Sequence, residues 1–168
     1  MKSQYANESA KNLGVTTSEI ISQAAEWSRL GYSDKDSATR MAELSSQFAS
    51  ISPGMSTEEA SSGLVSTMKA FDIQTDDVKE GIMSKINAIG NAFAETNADV
   101  ITGLEKSSSA MAAANNSMEE TVALFTAGQE IVQNAQTVGS SLRTISMRIR
   151  GKLIMPIYCE NNSLCCAV

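Results

Sequence analysis

"TTSEIISQAAEWSRLG", residues 16–31, encodes a whole helix in local chemistry. Thr16 can start it. Its hydroxyl can accept from a free first-turn amide, while Glu19, three residues on, can reach back to the Thr16 amide in a capping box. Ile20, Ala24 and Trp27 then recur at steps of four and three, with Ile21 and Ala25 beside them, which is one face of a helix. Gly31 can end it, because glycine adopts the left-handed conformation that closes helices at little cost.

The same start signal recurs at Ser33 with Asp36, Ser56 with Glu59, Thr96 with Asp99, and Ser117 with Glu120. A Ser-rich, acidic chain makes some such pairs by chance, so each counts where helical spacing follows. After Ser33 the stripe is Met41, Leu44, Phe48 and Ile51, and "SPG" at Ser52–Gly54 breaks the chain. After Ser56 it is Ala60, Leu64, Thr67 and Phe71. A fourth helix, from about Thr75 to Ala94, has no capping box but a clear apolar face of Val78, Ile82, Ile86, Ile89 and Phe93. No window alternates apolar and polar residues long enough to suggest a strand.

The second half echoes the first. "TTSEIISQ" at Thr16 pairs with "TNADVITG" at Thr96, and "EASSGLVSTMKAF" at Glu59 pairs with "TVGSSLRTISMRI" at Thr137. In the second pairing Ala60, Leu64, Thr67 and Phe71 fall on Val138, Leu142, Ile145 and Ile149, which predicts one burial pattern for both copies. The expected fold is all-α: a helical bundle or short array of about seven helices, a layout that admits two related three-helix units joined by the apolar fourth helix.

Composition narrows the function. The chain has 168 residues, enough for one ordinary domain, and a net charge of −6. Its one basic cluster, Arg143, Arg148, Arg150 and Lys152, is expected to sit in a helix's last turn, where the macrodipole favours cations. Nucleic-acid binding is therefore not expected. There is no histidine, the commonest general base and metal ligand. No stretch approaches the ~18 apolar residues of a membrane span, and the N-terminus lacks the apolar core of a signal peptide, so a soluble, non-secreted chain is expected.

Candidate chemistry is thin. The acid pairs Glu58–Glu59, Asp76–Asp77 and Glu119–Glu120 each fall in the first turn of an expected helix, where the dipole favours a carboxylate without any catalytic role. Asp34 and Asp36 have the spacing of a calcium loop but lack its glycine and terminal glutamate. No phosphate-cradling glycine motif occurs. Lys69, Lys79 and Lys106 could activate a serine in principle but read as solvated helix residues. The nine methionines are scattered, as core filler is. Trp27 and Tyr32 read as packing over a helix end. Cys159, Cys165 and Cys166 crowd the C-terminus without the spaced pairs of a zinc site, and the last four residues match the prenylation pattern only formally. No catalytic, cofactor-binding or metal residue is assigned; no cofactor, small-molecule substrate or enzymatic activity is expected.

Taken together, "LGVTTSEIISQAAEWSRLGYSDKDSATRMAELSSQF", "GLVSTMKAF" and "NAQTVGSSLRTISMRIRG" resemble the core region of phage tail tape measure proteins of the TP901 type, over Asn12–Gly151. The resemblance implies a mainly helical structural protein that fills the lumen of a growing phage tail while tail-tube subunits polymerise around it. Its length would set the tail's length. The partners implied are tail-tube subunits and tail assembly chaperones, with self-association open; the setting is the host bacterial cytoplasm during assembly and the tail lumen afterwards. Fully extended as one helix, the chain would measure at most roughly 250 Å. Members of the family are usually many times longer, so residues 1–151 are expected to be a piece of such a core. Residues 152–168 depart from the family pattern, as a frameshift or early stop in a prophage gene would make them do. The alternative is a stand-alone helical module that binds or assembles tail components.

Overall fold

The computed structural model describes residues 7, 11, 16–32, 35–93 and 96–161. Seven helices fill them: α1 Thr17–Arg29, α2 Lys35–Ser50, α3 Thr57–Phe71, α4 Ser84–Ala92, α5 Asn97–Ala113, α6 Met118–Val132 and α7 Ala135–Asn161. A π turn, Lys79–Met83, leads into α4. No strand occurs among the described residues, so the fold is an all-α array.

Four capping boxes form as the sequence spells them. Thr16, Ser56, Thr96 and Ser117 each accept from the third amide of the helix, whose acid reaches back to the cap amide. The fifth begins at Ser33, which lies outside the described residues; Asp36 stands in the first turn of α2. Gly31 and Gly54 take the left-handed φ values of 106° and 84° that end α1 and turn the Ser52–Gly54 break.

Cross-helix contacts fix the direction of each helix. Gln23 Oε1 accepts from Ser61 Oγ at 3.1 Å and the Leu30 carbonyl from Lys69 Nζ at 3.3 Å, so α1 runs parallel to α3. Ser146 Oγ approaches Met111 Sδ at 2.7 Å, and Arg150 Nη1 donates to the Ala113 carbonyl at 3.4 Å. Gly139 lies on Gly103, so α7 runs parallel to α5. At the opposite end Asn97 Nδ2 donates to Ser52 Oγ at 3.1 Å, bringing the turns before α3 and α5 together. The odd-numbered helices thus run one way and the chain returns through α2, α4 and α6. The end where α1, α3, α5 and α7 begin is here the entry end. The exit end is where the first three finish and α7 runs on.

The core is continuous from Trp27 through Met41, Phe48, Leu64, Ile82, Ile86 and Leu104 to Phe125 and Val138. At about 25 cal/mol per Å², burying such side chains supplies most of the drive to fold. Trp27 is fully buried, stacks edge-on with Tyr32 (5.3 Å, 68°) and donates from Nε1 to Ser45 Oγ at 3.2 Å. Burial also pushes the Tyr32 hydroxyl above its usual range.

Several expectations change. Ile51 and Phe93, read as the last rungs of buried stripes, are 48% and 45% exposed because each stands past its helix, in a turn. The fourth helix, expected from about Thr75 without a capping box, starts as a π turn at Lys79 and becomes an α-helix only at Ser84, although Val78, Ile82 and Ile86 are buried across it. The common burial pattern of α3 and α7 does not hold: Thr67 is fully buried, whereas Ile145 and Ile149 are 53% and 56% exposed. The cause is position. α3 is an interior helix touching α1, α2 and α5, while α7 lies at the edge, packed chiefly against α5 and α6. The basic cluster is not in a last turn either, since α7 continues to Asn161.

Candidate functional site

The carboxylates singled out by their spacing are placed by local structure. Glu58 and Glu59 lie in the first turn of α3, and Glu119 and Glu120 in that of α6. Asp76 and Asp77 precede the π turn instead, and Asp76 forms an ion pair with Arg40 of α2. Asp34 lies outside the described residues. Glu19 and Glu59 are held below the ordinary value of 4.5 by backbone and hydroxyl hydrogen bonds from Thr16 and Ser56. Glu119 is lowered chiefly by its bond to Lys85. No group of three side chains suited to a metal occurs among the described residues.

Lys69 caps the end of α1 through the Leu30 carbonyl, and the stem of Lys106 packs beside Gly139; Lys79 is exposed. Six methionines, 41, 55, 68, 83, 111 and 118, are core filler, and Met147 is 56% exposed. The three cysteine side chains lie outside the described residues.

A groove of about 720 Å³ opens at the exit end between the α3–α4 and α5–α6 connections. Phe71, Ile73 and Met118 give it apolar walls, and the Lys85–Glu119 ion pair stands at its rim. Lys85 is paired with Glu119 and the lining also holds the carboxylates of Asp72 and Asp77, so the groove is not an anion site.

Sequence reading missed a seam of glycines inside helices. A side chain on Gly103 of α5 would occupy the ring of Phe125 in α6, and one on Gly128 of α6 would meet Val138 of α7 at 2.8 Å. One on Gly63 of α3 would strike Ile101 of α5. The available signal was energetic: glycine within a helix costs about 1 kcal/mol against alanine, which hints at a close approach that needs it.

Apart from Ile21, Leu30 and Leu124, which stand singly, the large exposed apolar side chains gather in two places. Ile51, Phe93, Ile131 and Val132 lie at the three turns of the entry end, Ile131 at 86% exposure. Ile145, Met147 and Ile149 line α7 where it passes the end of α5. Such patches mark contact surfaces rather than catalytic clefts. No helix among the described residues is long and apolar enough to cross a membrane.

The model of the phage-related minor tail protein family matches residues 3–155. No curated protein and no solved structure matches the chain.

Proposed function

Since the chain belongs to the phage-related minor tail protein family and so has a structural place in the phage tail, we propose that it is a core-region segment of a tape measure protein, templating tail-tube polymerisation. The observation that carries this reading is the family match, which runs over residues 3–155 and so takes in the whole helical array up to Gly151. A chain built of helices supplies about 1.5 Å of length per residue wherever it extends, which is what a length-setting protein needs. The TP901-type motifs support the same reading.

The test is tail length. In the phage that carries this protein, duplicating in frame the segment from Asn97 to Arg150 and measuring tails by electron microscopy should lengthen them in proportion, by up to ~1.5 Å per added residue if the segment extends as helix. Unchanged length with tails still assembling would overturn the ruler reading.

The packed array itself favours a second reading, a compact module that binds tail-tube subunits or assembly chaperones. In that case the same duplication leaves tail length alone and changes only the yield of tails.

A further inference from the structure

The two exposed apolar patches carry opposite charge. At the entry end, Ile51, Phe93, Ile131 and Val132 are accompanied by Glu19, Glu58, Glu59, Asp99 and Glu130. Three of these acids serve capping boxes, but Glu58 and Glu130 stand outside them. Residues 16–20, 47–60, 89–93, 96–99 and 127–137 of that end contain no lysine or arginine, although Lys11 lies five residues before Thr16, in a segment whose Asn7 accepts from Thr17 Oγ1. On α7, the stretch from Ala135 to Gly151 contains Arg143, Arg148 and Arg150 and no acid. Ile145 and Arg148, three residues apart, share a helix face, and Ile149 lies next to them. All three arginines are exposed; Arg148 is the one on that face, while Arg143 and Arg150 lie more than about 100° around the helix from Ile145, Arg150 donating to the Ala113 carbonyl, and add their charge to the same end.

We propose that the basic, apolar face of α7 in one copy docks on the acidic, apolar entry end of a second copy, so that the protein associates head to tail. The contact is heterologous: each copy offers one patch and receives with the other, so one bound pair still has two unused patches. Charge complementarity picks the second copy as occupant, because positive meets negative only when unlike ends meet, and like ends repel. This does not depend on the ruler reading.

Sedimentation velocity of the full chain over a range of concentrations, at about 0.05 and 0.5 M salt, tests it. The average mass should rise with concentration and fall at high salt. Two variants then separate the patches: Ile145→Glu with Arg148→Glu on α7, and Glu58→Lys with Ile131→Lys at the entry end. All four side chains are exposed, so both variants should match the parent in helix content and melting. Each alone should associate at least about tenfold more weakly.

An equimolar mixture gives a sharper outcome. The intact entry end of the first variant can receive the intact α7 of the second, so dimers should form and stop there. A monomeric parent at every concentration, variants that associate like the parent, or folded variants whose mixture stays monomeric would each overturn the proposal.

Discussion

Gly139 of α7 lies directly on Gly103 of α5: a side-chain carbon on Gly139 would sit 2.8 Å from the Gly103 carbonyl oxygen and 3.0 Å from its Cα. Both obstacles are backbone within helices, which cannot swing aside as a side-chain tip can. Gly139→Ala should therefore destabilise the fold. Overpacking costs about 1–3 kcal/mol, against about 1 kcal/mol gained in helix propensity. Gly151, with nothing within 4 Å of the same position, should respond oppositely, with Gly151→Ala stabilising by up to about 1 kcal/mol. Thermal melting by circular dichroism reads both, at about 2–4 °C per kcal/mol for a chain of this size. A melting temperature raised by Gly139→Ala would show that α5 and α7 do not approach as described.

Trp27, the only tryptophan, is fully buried beside Tyr32 and Ser45. Its fluorescence should be blue-shifted in the native protein and move to the red in one urea transition that coincides with loss of helix. Trp27→Ala should cost about 3–5 kcal/mol through the cavity it leaves. Native emission at the wavelength of free tryptophan would contradict its burial.

Acid should weaken the fold partly through the helix starts. The folded pKa values of Glu19, Glu59 and Glu119 lie below the ordinary 4.5, so these carboxylates stabilise the native state above that value. That contribution is lost as pH falls through the folded values. The melting temperature should accordingly drop in acid, and Glu19→Gln with Glu59→Gln should flatten the drop while lowering stability at pH 7. An unchanged acid profile in the double variant would remove these caps as its source.

Thr126 of α6 buries a hydroxyl with no hydrogen-bond partner and is only 5% exposed. Replacing it by valine keeps the shape and removes the unsatisfied group, so Thr126→Val should be neutral or stabilising by about 1–2 kcal/mol. A clear loss of stability in urea titration would mean that the hydroxyl is satisfied after all.

Helix starts were legible because they are local: a hydroxyl and an acid three residues apart determine a capping box wherever the helix sits, as at Thr16 and Ser117. Burial within a stripe was legible only where the helix has neighbours on both sides. Leu64 and Thr67 followed the pattern, whereas Ile145 and Ile149 did not, because nothing local tells α7 that it is an edge helix. The turn residues Ile51 and Phe93 were misread for a related reason: apolar spacing continues past the point where a break ends the helix. Direction and end-to-end charge separation were not legible at all, since they depend on which helices lie side by side.

From Thr17 on, the described residues make seven helical passes, an odd number, and parity governs where a chain comes out. A bundle with an even count hands its chain back on the side it came from, like a hairpin. Between Thr16 and Arg150 this one crosses an odd number of times, so that stretch displaces the polypeptide by one helix length, about 25 Å. Stretches of this kind joined in series would advance in a line, each adding the same step.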